Sequence, residues 1–157
     1  MIIKLITIGK TNGAWLVKGI TEYTNRLTHY TNFKIIEIPE VKNKAKLSVE
    51  KLKEAEQTEI EKHFDKDSFI IALDENGKEY SSEDFSIFLE KKMIAGIKQI
   101  IFIIVGSFCI SSKILANCND KIALSQMTFS HQMVRLIFVE QLYRAFTIIK
   151  NEKYHHK

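Results

Sequence analysis

Gln99-Ile100-Ile101-Phe102-Ile103-Ile104-Val105-Gly106 decides the architecture, together with the strand-like Lys121-Ile122-Ala123-Leu124-Ser125 and the long segment 131–150 behind it. An unbroken apolar run at 100–105, closed by Gly106, has the length and composition of a strand buried on both faces. A buried strand that ends in glycine and opens into polar loops is where an open α/β sheet places a ligand. The loop Gln126-Met127-Thr128-Phe129-Ser130 and the tail Asn151-Glu152-Lys153-Tyr154-His155-His156-Lys157 complete this C-terminal third.

Working outward, three more strands precede it. Ile2–Ile8 is rich in β-branched residues and bounded by Gly9; 33–38 is ended by Pro39, the chain's single proline; 68–73 runs into a turn at Asp74-Glu75-Asn76-Gly77-Lys78. Helical spacing separates them. Trp15, Leu16, Ile20, Tyr23 and Leu27 mark a helix over about 12–29. Ser48 caps a helix to Phe64 with a thin stripe of Leu47, Leu52, Ala55, Ile60 and Phe64. Ser81 with Asp84 opens another, through Phe85, Phe88, Leu89 and Met93 to Gly96. In the helix over 131–150, Val134, Ile137, Phe138, Leu142, Ala145, Ile148 and Ile149 form one apolar face, with Gln132, Arg135, Glu140, Arg144 and Lys150 largely off it. So wide a face suits either the sheet or a second subunit. Strands alternating with helices predict an α/β fold, a mostly parallel sheet with helices on both faces.

The 157 residues are enough for one well-buried core, so one domain spanning 1–157 is expected. With 45% hydrophobic and 27% charged residues the chain is not disordered in character, and no apolar run approaches the roughly 20 residues of a membrane span. The start is too short and strand-like for a signal peptide, so a cytoplasmic protein is expected. Cys109 and Cys118 lie nine apart without a C-x-x-C or matching histidines, so free thiols are expected, with neither a disulfide framework nor a metal site. Gly9-Lys10-Thr11 imitates the end of a P-loop, but Lys4 stands where the motif needs its first glycine, which excludes an NTPase of that type. A formal charge of +4 favours an anionic partner. Lys42, Lys44 and Lys46 read first as a solvated connector.

By themselves these residues leave function open. Gly106 fits a strand terminator as well as a ligand approach, Glu140 and Arg144 at i and i+4 fit a surface ion pair, and His131 fits a helix start. Tyr154-His155-His156-Lys157 offers a ring for stacking and donors for phosphate.

Taken together, several motifs resemble one family. They are Leu73-Asp74-x-x-Gly77-Lys78, the strand ending at Gly106, the segment 124–131 with Thr128 and His131, the block Val134-Arg135-x-x-x-x-Glu140-Gln141-Leu142-Tyr143-Arg144-Ala145, and the ending Asn151-x-x-Tyr154-His155. This pattern is similar to the RlmH family, SPOUT-class methyltransferases of large-subunit ribosomal pseudouridine, over essentially the whole chain. The resemblance implies a C-terminal trefoil knot, a homodimer, S-adenosyl-L-methionine as methyl donor, and N3 of a pseudouridine in 23S rRNA of the ribosome as acceptor, with no membrane and no metal. It also implies a cofactor site at Leu73, Gly106, Ser125, Gln126, Met127, Thr128, Phe129 and Ser130, and catalytic roles for Glu140, Arg144, Tyr154 and His155. Arg144 would meet the developing oxyanion with Glu140 holding it, Tyr154 would stack on the base, and His155 would accept the proton. Three positions depart from the family pattern: Val105 and Cys109 replace glycines around Gly106, and Lys153 replaces a proline before Tyr154. A SPOUT enzyme acting on tRNA, and a non-catalytic α/β module binding a nucleotide or ribosomal surface, are the alternatives.

Overall fold

A computed structural model describes residues 1–104 and 111–155. Five strands, β1 (Ile2–Ile8), β2 (Asn32–Ile38), β3 (Ser68–Glu79), β4 (Gln99–Ile104) and β5 (Asp120–Ala123), form one sheet in the order β2-β1-β4-β3-β5, every neighbouring pair parallel. The central strand β4 is flanked by β1 and β3, and Ile100 to Ile103 are fully buried, as a strand covered on both faces requires. The expected strands are all present. Val105 and Gly106, at the end of the deciding stretch, lie outside the described residues, as do Cys109, His156 and Lys157.

Helices α1 (Ala14–Leu27), α3 (Ser82–Ile94) and α5 (His131–Ile149) cover one face. There Phe102 of β4 meets Phe138 of α5 with ring centroids 4.6 Å apart and Phe85 of α3 edge-on. Full burial of a side chain such as Phe138 contributes about 1.5–3 kcal/mol. Helices α2 (Val49–Glu61) and α4 (Ser112–Asn117) cover the other face, over Ile6, Ile70, Ile101 and Ile103. α4 lies in the stretch read from sequence only as polar; six residues are too few for a periodic signal. The helix starts follow their caps: Ser48, Ser81, Ser111 and Ser130 each accept a hydrogen bond from the amide three residues on.

Three sequence readings change. Trp15, placed on the apolar stripe of α1, is 62% exposed, while Leu16, Ile20 and Leu27 carry the packing. Arg135, expected off the apolar face of α5, is 1% exposed; the buried stripe runs through Arg135, Phe138, Val139, Leu142, Ala145 and Phe146. The turn expected at 74–78 is an interruption inside a longer strand. Leu73 and Lys78 both pair with Ile122, so Asp74 to Gly77 loop out between them and β3 resumes beside Ala123. Gly77 is required there, because a Cβ would stand 2.6 Å from the Ile122 backbone N and C atoms.

Among the described residues no helix is long and apolar enough to cross a membrane. Among them, too, no group of three or more His, Cys, Asp or Glu side chains could hold a metal ion. Cys118 is free and half-buried, and burial pushes its thiol up to about 11, which leaves it a poor nucleophile at neutral pH.

Candidate active site

A cavity of about 530 Å³ opens where β3, β5, the 124–130 loop and the start of α5 converge. Its volume falls within the roughly 300–1,000 Å³ of small-molecule sites. Leu73, Ile104, Ile122, Leu124 and Val134 make an apolar floor, with Asp74, Asn76, Lys121, Ser125, Thr128 and His131 among its polar lining groups. Six of the eight expected cofactor residues line it: Leu73, Ser125, Met127, Thr128, Phe129 and Ser130. Gln126 points elsewhere, its amide donating to Glu79 Oε2 at 3.2 Å, and Gly106 is outside the described residues.

Local hydrogen bonds give the loop its shape. Ser125 Oγ accepts from the Met127 amide at 2.9 Å, and Ser130 Oγ accepts from the Met133 amide as the N-cap of α5. The side chains of Met127 and Phe129 stay exposed, 74% and 37%. Burial and the nearby Arg135 guanidinium hold His131 below the usual histidine range, favouring a neutral ring on the cavity wall.

One helical turn further into the chain, α5 grips the loop after β1. Arg135 donates to the carbonyls of Ile8 at 2.7 Å and Gly9 at 3.0 Å and to Thr11 Oγ1 at 3.0 Å, and lies 3.6 Å from Glu37. Gln132 accepts from the Asn12 amide and donates to Lys10 O. The Thr11 amide and hydroxyl donate to Glu37 Oε1. The amides that a P-loop would aim at phosphate are therefore occupied at Thr11 and Asn12, in agreement with the exclusion drawn from Lys4. Sequence reasoning missed Arg135 because its acceptors lie 126 and 127 residues away.

The four expected catalytic residues do come together. Arg144 donates to Glu140, and Tyr154 donates to the same carboxylate oxygen at 2.9 Å. The guanidinium carbon sits 4.8 Å from the Tyr154 ring centroid. His155 approaches Arg144 through Nδ1 at 3.5 Å and Glu83 through Nε2 at 3.0 Å. Tyr23 reaches the Tyr154 hydroxyl at 3.2 Å, and Tyr143 packs edge-on against its ring. The hydrogen bond to Glu140 raises the Arg144 pKa, and burial with the Tyr23 and Glu140 contacts raises that of the Tyr154 phenol. Both therefore keep their protons at neutral pH. The tail is tied down behind this group by Asn151 and Glu152 amides donating to Ile148 and Thr147 carbonyls, and by the Tyr30 hydroxyl on Glu152.

Cavity and cluster are separate places in one chain. Glu140 and Arg144 follow the cavity residue Val134 by six and ten positions, about 9 and 15 Å along the helix axis at 1.5 Å per residue, and neither lines the cavity.

Against known proteins, the family model described as "Predicted SPOUT methyltransferase" matches residues 1–155, and the chain belongs to that family. Within it the chain is 48% identical over 157 residues, all of both chains, to "Ribosomal RNA large subunit methyltransferase H" of Parabacteroides distasonis. It is 50% identical, again over 157 residues and all of both chains, to the protein of the same name from Flavobacterium psychrophilum. Among solved structures, a probable methylase family protein from Haemophilus influenzae superposes with a TM-score of 0.53 at 12% identity, covering 99% of this chain and 70% of that one, a likeness of fold.

Proposed function

We propose that the protein is an S-adenosylmethionine-dependent methyltransferase that methylates N3 of a pseudouridine in 23S rRNA, in the cytoplasm and on the assembled ribosome. The observation that carries this reading is the end-to-end identity of 48–50% with proteins bearing the large-subunit rRNA name, which also favours rRNA over tRNA. The described part of the pocket fits the cofactor: an apolar floor suits a purine, and backbone groups of the 125–130 loop can read its edges and the ribose. Leu73, Gly106 and Ser125 to Ser130 would hold it. When bound, it supplies a methyl group made electrophilic by a sulfonium.

The chain's own residues then manage charge and orientation. Attack by N3 requires its proton to leave and leaves negative charge on the ring oxygens. Arg144, preset by Glu140, stabilises that charge or an adjacent phosphate. Tyr154 stacks on the base, and His155 accepts the N3 proton. Because this cluster sits about 9–15 Å beyond the cavity along α5, we read the site as composite: in a homodimer the tail of one protomer completes the cavity of its partner. The chain's 157 residues leave little surface for reading a long RNA sequence, so the folded ribosomal context selects the target, with basic residues steering the encounter. The SPOUT trefoil knot belongs to the same reading.

Isothermal calorimetry tests the cofactor assignment. Saturable binding of S-adenosylmethionine below about 1 mM is expected. No heat of binding at millimolar ligand would overturn it in favour of a non-catalytic module.

A further inference from the structure

The looped-out segment of β3 presents two carboxylates at the cavity that the methyl-transfer scheme does not use. Asp74 and Glu75 both line it, Asp74 half-buried and Glu75 exposed. Their position is built into the sheet. The slip that pairs both Leu73 and Lys78 with Ile122 extrudes the segment, and Gly77 lets β5 lie flush beneath it. The Asp74 carboxylate accepts the Asn76 amide at 2.8 Å, which fixes the shape of the extruded loop. Among the described residues neither Asp74 nor Glu75 has an ion-pair partner.

The other charged or titratable groups lining the cavity, among the described residues, are Lys121 and His131. With the His131 ring neutral, two carboxylates face one ammonium, a net charge of −1 from these side chains. The ligand expected there has one carboxylate and two cationic centres, an ammonium and a sulfonium, for a net +1. Its demethylated product keeps the carboxylate and ammonium and loses the sulfonium charge. Lys121 can answer the carboxylate, leaving Asp74 and Glu75 for the two cations.

Resting on the cofactor reading above, we propose that Asp74 and Glu75 make the pocket charge-selective, so that it holds cationic S-adenosylmethionine in preference to neutral S-adenosylhomocysteine. Methyl transfer removes the positive charge that these carboxylates attract, and the product is then released more readily. Charge selection of this kind is a property of the pocket, independent of RNA.

Calorimetry on the full-length protein, without RNA, tests it with three ligands: S-adenosylmethionine, S-adenosylhomocysteine, and sinefungin, whose protonated amine keeps a positive charge where the sulfonium was. For carboxylates several ångströms from the charge in a partly solvated site, the native protein should bind the two cationic ligands roughly tenfold more tightly than the neutral one. Glu75→Gln should lower that ratio and Glu75→Gln with Asp74→Asn should bring it close to one, mainly by weakening the cationic ligands. Asparagine at 74 keeps a side-chain oxygen for the Asn76 amide. Equal affinities in the native protein, or a ratio unchanged in the double variant, would overturn charge selection while leaving the cofactor reading intact. Failure of all three ligands to bind would overturn both.

Discussion

Arg144→Ala is expected to abolish methyl transfer to ribosomes, a loss of at least about 10³-fold, while S-adenosylmethionine binds the variant within about twofold of the native affinity. The split follows from geometry. Arg144 does not line the cavity, so removing it leaves the cofactor's contacts in place. It does remove a cation that Glu140, Tyr154 and His155 all converge on, and with it, in the proposed scheme, the charge that would meet the developing oxyanion. The fold should survive, because the Arg144–Glu140 pair is only partly buried, with side chains 25% and 18% exposed, and the Glu140 carboxylate keeps hydrogen bonds from Tyr154 and Gln141 when Arg144 is removed. Arg144→Lys should recover little, since an ammonium cannot reproduce the planar fork. Transfer of labelled methyl groups in single turnover, with calorimetry alongside, separates the two effects. Near-normal turnover in Arg144→Ala would sink the assignment, and a matching loss of cofactor affinity would move Arg144 into the binding site.

Arg135→Ala should cost about 3–5 kcal/mol of stability in denaturant unfolding at fixed protein concentration. Its guanidinium is buried, its pKa lowered by that burial and partly restored by Glu37 and Glu40. Truncation strands the carbonyls of Ile8 and Gly9, leaves the Thr11 hydroxyl with only its bond to Glu37, and opens a cavity beside β1. Arg135→Met refills most of the volume without answering the carbonyls, so its cost should fall between alanine and native. A loss below about 1 kcal/mol for Arg135→Ala would mean that water takes over the stranded groups.

Arg135 also marks how far the sequence carries. The strands were legible because an apolar run such as 100–105, or a β-branched one such as Ile2–Ile8, has few other uses in a chain of this composition. The helix starts were legible where a serine stood at the right distance before a periodic segment, as at Ser48 and Ser81. A lone arginine within an apolar helix reads as solvent-facing by residue type, and only the distant carbonyls at the end of β1 make burial possible. The same limit explains β3. Asp74-Glu75-Asn76-Gly77 has the composition of a turn, and nothing local says that the strand resumes beyond it; Gly77 is fixed by its contact with Ile122 on another strand. Trp15 stands at the first turn of α1, where spacing alone does not decide which way a ring points.

The candidate site divides in the same way. Physical reading marked the carboxyl end of β4 as a generic ligand position and left Glu140–Arg144 as an ordinary ion pair, and resemblance supplied the roles. The structure adds that Tyr154 and His155 fold back onto that pair, and that the cavity lies further towards the start of the same helix. A trefoil knot is beyond any local pattern, since general topological preference runs against one.

The central claim is most directly tested by mass spectrometry of nucleosides and defined fragments from 23S rRNA of cells with and without this protein. One pseudouridine methylated at N3 should be present in the first, absent in the second, restored by the native chain and not by Arg144→Ala. An unchanged 23S rRNA, or a methyl group lost from tRNA instead, would contradict it.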